Sequence, residues 1–170
     1  MPESLEFLYE QDFDENGALF FLGSYGKTRA WQNPHSLGQV QAFASSVGNG
    51  AVSDIVGRKL SGVRTLNEAF SFFGIDLGEG RRLLPTCYTL MNRNSTTHVL
   101  MNWHIEGSND KVNWTILDRR VYLPAVEEGV LGVRESAMLE QEQKALRLKG
   151  ATNTWAIDMQ VYDEIGEEGF

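Results

Sequence analysis

The stretch "HVLMNWHIEGS", residues 98–108, decides the fold class. Val99, Met101, Trp103 and Ile105 fall on one parity, and Leu100, Asn102, His104 and Glu106 on the other. That period of two is the mark of a strand with one face turned to a core. Working outward, "SFFGIDLG" places Phe73, Ile75 and Leu77 together, and "TWAIDMQVY" places Trp155, Ile157, Met159 and Val161 together. "TCYTLMN", "NWTILDRR", "ALFFLGS" and "GQVQAFASS" are shorter runs of the same kind. Turn formers separate them: Asn16-Gly17, Gly23, Asn33-Pro34, Gly48-Asn49-Gly50, Gly78-Glu79-Gly80 and Ser108-Asn109-Asp110. Short alternating runs divided by turns predict an all-β antiparallel sandwich, because two sheets packed face to face need one apolar row per strand.

One segment departs from this period. "RESAMLEQEQKALRLKG", residues 134–150, is rich in helix formers, pairs Glu140 with Lys144 at i, i+4, and stops at Gly150. It predicts a helical insertion near 134–149, either lying on the sandwich or exposed for a partner, with Leu139, Leu146 and Met138 as its apolar stripe.

The 170 residues suit one domain, of which 42% are hydrophobic and 22% charged. A net charge of −8 speaks against nucleic acid and anionic membranes as partners, since phosphate surfaces need clustered Lys and Arg. The opening "MPESLEFLYEQDFDEN" has no basic n-region or apolar run of signal length, and no stretch approaches the ~18 apolar residues of a membrane span. With a single cysteine, Cys87, the expectation is a soluble cytoplasmic protein. Asn94-Ser95-Thr96 and Asn113-Trp114-Thr115 then read as chance matches to a glycosylation triplet.

"DFDENG", residues 12–17, has the spacing that opens an EF-hand loop, but the twelfth position, where a bidentate acid belongs, is Gly23. It reads instead as a turn whose carboxylates accept backbone amides. A calcium site of another kind, built on Asp12, Asp14 and Asn16, stays open on sequence grounds. His35, His98 and His104 lack a chelating spacing, and Cys87 in its apolar run reads as a buried structural thiol. "GEGRR", residues 78–82, lacks the Lys-Ser/Thr of a phosphate loop. No catalytic motif and no cofactor motif emerges. Polar and aromatic residues do gather in "GSYGKTRAWQNPH", residues 23–35, where Tyr25, Lys27, Arg29, Trp31 and Asn33 form a candidate binding patch, with Arg93 a further candidate. The other reading has Trp31 plugging the end of the sandwich and the charges merely solvated.

Several segments, in order, resemble a known family: "DFDENGALFFLGSYGKTRAWQNPHSLGQV", "FFGIDLG", "LLPTCYTLMN", "LMNWHIEGSNDKVNWTIL" and "ATNTWAIDMQVYDEIGEEGF". They are similar to the galactose-binding-like (discoidin or coagulation-factor C-type) modules inside intracellular eukaryotic proteins. Those include BTB-domain adaptors, HECT-type ubiquitin ligases and related protist proteins. The resemblance covers most of 7–123 and returns at 151–170, and its most specific marks are D-F-D-x-N-G…L-G…W-x-N-P and N-W-x-x-x-G-S-x-D…W-T-x-L. It implies a jelly-roll sandwich carrying ligand loops at one end, and a non-catalytic module that binds a protein partner or, alternatively, a glycan. It also implies one or two further strands beyond Phe170, supplied by a longer chain or another subunit. Three departures stand out. Leu90-Met91-Asn92 replaces L-R-H, Leu100-Met101-Asn102-Trp103 replaces L-R-N-W, and Asp110-Lys111 replaces D-G. The first two remove basic residues on which an inherited anionic ligand would depend.

Overall fold

The structure, a computed structural model, describes residues 4–92, 100, 102–120, 144–150 and 157–167. Arg93 and residues 134–143 of the expected helix lie outside them. The described residues form two antiparallel sheets. One holds β1 (Ser4–Leu5), β4 (Arg81–Asn92) and β8 (Ile157–Glu167), with β8 in the middle. The other holds β2 (Gln41–Ala44), β3 (Phe72–Asp76), β5 (Trp103–Ser108), β6 (Thr115–Arg120) and β7 (Ala145–Gly150), in the order β2-β3-β7-β5-β6. The expected all-β sandwich is therefore present.

Alternation decides what each strand buries. Phe73, Ile75, Ile105 and Leu148 are sealed between the sheets with Leu83 and Leu90. One polar network crosses this interior. The Tyr88 hydroxyl on β4 donates to Asp118 on β6, accepts the indole N–H of Trp103 at 3.2 Å, and Asp118 also accepts Arg120 Nε at 2.8 Å. Burial, followed by the adjacent Asp118 carboxylate, pushes the Tyr88 phenol up from its ordinary range.

On the outer face of the larger sheet, Gly74 leaves room for the Phe43 ring, which a Cβ there would meet at 2.4 Å. Beside it the Arg147 guanidinium lies 4.7 Å from the Phe72 ring and 4.2 Å from that of Trp114, and is paired with Glu106.

Two expectations are corrected. Residues 145–150 are a central strand, not helix: β7 pairs with β3 on one side and β5 on the other. Leu146 and Leu148 are 1% and 0% exposed with Arg147 between them, so the period is two and the stripe expected through Leu146 is a sheet face. Helix propensity differs among these residues by only tenths of a kcal/mol each, less than two ladders of hydrogen bonds and two buried leucines supply. "ALFFLGS" is not a strand. Ala18–Gly23 form α1, with the Phe21 amide bonded to the Gly17 carbonyl at 3.0 Å. A short apolar run buried on most sides has no period to tell helix from strand.

Candidate functional site

α1 ends in a loop with an uncommon backbone. Tyr25, Gly26 and Lys27 follow one another with φ of 47°, 69° and 64°, the left-handed region that costs an ordinary L-residue about 1 kcal/mol. The buried hydroxyl of Ser24 holds this run by accepting the Lys27 amide at 3.0 Å while donating to the Phe20 carbonyl at 2.9 Å. The Ser24 carbonyl takes the amides of Thr28 and Arg29, at 3.1 and 3.0 Å. Gly23 lets the chain return upon itself, since a Cβ there would stand 2.4 Å from Trp31 Nε1 and 2.5 Å from the Gln32 carbonyl oxygen.

The returning loop faces a second segment, the 3-10 helix Val52–Val56 and the turn after it. Asn33 joins the two by donating to the Ser53 carbonyl at 2.9 Å, and its own oxygen accepts the His35 amide. Between them lies a cleft of about 710 Å³, lined among others by Lys27, Arg29, Trp31, Asn33, Arg58 and Lys59. Four residues expected at a binding patch thus share one wall system. Tyr25, 37% exposed, stands behind Arg29, whose guanidinium is 4.9 Å above its ring. Trp31 is half-buried, so it neither plugs a core nor presents a bare face, and among the described residues its indole N–H has no acceptor. Arg58 and Lys59 were not singled out by the sequence reading, although Arg58-Lys59 is an adjacent basic pair in a glycine-flanked turn.

The "DFDENG" carboxylates behave as turn acceptors. Asp14 takes the amides of Glu10, Gln11 and Asn16 at 2.9, 3.2 and 2.9 Å, while Asp12 accepts the Tyr9 hydroxyl. The Asn16 side-chain oxygen accepts Lys27 Nζ at 3.1 Å, which sets a cation where a metal would need open oxygens. Among the described residues no three His, Cys, Asp or Glu side chains are grouped to hold a metal ion. The residues left open as a calcium site, Asp12, Asp14 and Asn16, thus have side-chain oxygens already engaged. Cys87 is half-buried on β4 rather than sealed, and is not in a disulfide.

No family model matches the sequence. The fold is that of solved sugar-binding modules. The family 32 carbohydrate-binding module of Clostridium perfringens NanJ, in complex with galactose, aligns with a TM-score of 0.57 at 15% identity, over 74% of this chain and 94% of that one. The lectin domain of lectinolysin, complexed with Lewis B antigen, gives 0.56 at 17% identity over 72% and 90%. The chain has the galactose-binding-like fold. By sequence the module is 32% identical over 165 residues to the E3 ubiquitin-protein ligase Ufd4 of Drosophila melanogaster, and 27% over 173 residues to the E3 ubiquitin-protein ligase hecd-1 of Caenorhabditis elegans. A BTB/POZ domain-containing protein of Arabidopsis thaliana is 29% identical over 125 residues, 69% of this chain and 15% of that protein. The two ligase matches cover 94% and 98% of the module but 5% of each ligase. Among the described residues no helix is long and apolar enough to cross a membrane.

Proposed function

We propose that the module is a non-catalytic part of a larger intracellular protein and mediates protein–protein interaction there, with the cleft between residues 24–33 and 54–61 as its seat. The observation that carries this reading is the cleft itself. A loop of three left-handed residues, held from beneath by Ser24, presents Lys27 and Arg29 beside Trp31 and Asn33. Strained backbone and mixed charged and aromatic side chains on a rigid scaffold are the usual composition of a recognition surface. The sequence relatives support it, because in the two ligases the matching region is a small fraction of a long chain.

Glycan binding is the second reading, supported by the sugars bound to structural neighbours of the same fold. It asks for a bare aromatic plane on which a pyranose can stack. Here one face of Tyr25 carries the Arg29 guanidinium, which favours the protein partner.

The test is retention of cell proteins on immobilised module, wild type against the Lys27→Glu, Arg29→Glu double variant, with a glycan array in parallel. Proteins held by the wild type and lost by the variant are the expected result. Reproducible glycan binding, with no protein retained through the cleft, overturns the reading.

A further inference from the structure

Four cations outside the cleft are held in ion pairs. Lys111 pairs with Asp76, Lys144 with Glu79, Arg120 with Asp118 and Arg147 with Glu106. Lys27, Arg29 and Lys59 form no ion pair among the described residues. Lys27 touches only the neutral amide oxygen of Asn16, and Arg29 lies on the Tyr25 ring. Arg58 donates to the carbonyls of Phe13 and Asp14 and lies 4.8 Å from the Phe20 ring. Neutral partners fix Lys27 and Arg29 without cancelling their charge.

Two carboxylates share the cleft with these four cations. Asp54 already accepts the Ser61 hydroxyl at 3.1 Å and the Ala51 amide at 3.3 Å, and Glu15 is exposed. A chain of net charge −8 therefore gathers a local excess of positive charge on the walls of one concavity. Charges farther away than a Debye length of about 8 Å are screened at physiological salt, so the local sign decides what enters. Lys27, Arg29 and Lys59 match an oxyanion: guanidinium and ammonium donors with no carboxylate committed to them among the described residues.

We infer that the cleft takes an anionic segment of the partner protein, carboxylate or phosphate side chains on a peptide, seated among Lys27, Arg29 and Lys59; the inference rests on the protein-binding reading above. The cationic set is not the one the family resemblance would have supplied near Asn92 and Met101.

The experiment measures fluorescence anisotropy of labelled hexaglutamate, a phosphoserine peptide and hexaglutamine, with sialyllactose as a charged sugar competitor. Binding of one or both anionic peptides, but not of hexaglutamine, is expected, weakening as salt rises. The Lys27→Glu, Arg29→Glu double variant weakens it by about tenfold or more, on the order of two lost charge pairs. Arg119→Glu, an equal change per residue on β6, leaves it unchanged. Lys59→Gln, at an exposed side chain, serves as a second variant should the double variant fail to fold, and is expected to weaken binding several-fold. The relative response to hexaglutamate and phosphoserine separates a carboxylate source from a phosphate source. Equal binding of hexaglutamine, equal loss in Arg119→Glu, displacement by sialyllactose, or no binding of either anionic peptide overturns the inference. If the double variant loses captured proteins while neither peptide binds, only this inference fails. If capture survives in that variant, the protein-binding reading fails with it.

Discussion

Gly23 shows how one missing methyl shapes the site. The indole of Trp31 and the Gln32 carbonyl approach its backbone closer than any Cβ permits. Gly23→Ala is expected to destabilise the module by about 1–3 kcal/mol and to weaken ligand binding together with it, because the cleft wall must shift. Chemical denaturation and peptide titration of the same variant check both. Two residues beyond Tyr25, Lys27 has the opposite character: its side chain serves the cleft while its backbone is held at φ 64°. Lys27→Gly relieves that conformation, so stability should stay level or rise within about 1 kcal/mol while affinity for an anionic peptide falls. A variant that lost both would show that the lysine is there for the fold. Inside the sandwich, Tyr88→Phe leaves Asp118 and the Trp103 N–H short of a partner, with an expected cost of about 1–3 kcal/mol in a urea titration.

At the scale of elements, β7 carries the clearest lesson about reading the chain. Ala145, Leu146, Arg147, Leu148 and Lys149 are all good helix formers, and the alternation of Leu146, Arg147 and Leu148 spans too few residues to outvote them. What makes them a strand is the pair of neighbours, β3 and β5, that arrive from far along the chain. Sequence alone holds no record of that closure. Arg147 on this strand stands between two aromatic rings and neutralises Glu106, which is 6% exposed. Arg147→Met keeps much of the packing but leaves the buried carboxylate without that cation, and should cost about 3 kcal/mol in equilibrium unfolding. The strands β3 and β5, by contrast, were legible because the apolar parity there, Phe73 with Ile75 and Trp103 with Ile105, is the buried one. α1 was not, because a six-residue run buried on nearly every side carries no period. Of the candidate site, Lys27, Arg29, Trp31 and Asn33 were legible as a polar, aromatic, glycine-rich loop. Arg58 and Lys59 were not, since only folding brings their turn opposite that loop.

Over the whole molecule, acidic residues are in excess, yet several are buried and committed. Burial alone would raise the carboxyl of Asp76, but the Lys111 ammonium at 2.6 Å and the Gly78 amide outweigh it and hold it below the ordinary range. A depressed folded value adds stability above the unfolded carboxyl range of about 4, and that part is lost as pH falls through the folded value. Thermal melts should therefore weaken on acidification below about pH 4, and Asp76→Asn should be less stable at neutral pH and flatter across that acid limb. Lys111 is nearly half exposed, so solvent screening keeps its share of the effect modest.

Three of the four tryptophans, those among the described residues, divide the molecule in another way. Trp103 is bonded to Tyr88 in the interior, Trp114 stacks with Arg147 outside the larger sheet, and Trp31 lines the cleft. Of these three, only Trp31 lines the place where a ligand is expected to lodge. The protein thus carries a built-in optical probe of occupancy: titration with an anionic peptide should alter its ultraviolet emission, and Trp31→Phe should erase most of that change without any label attached.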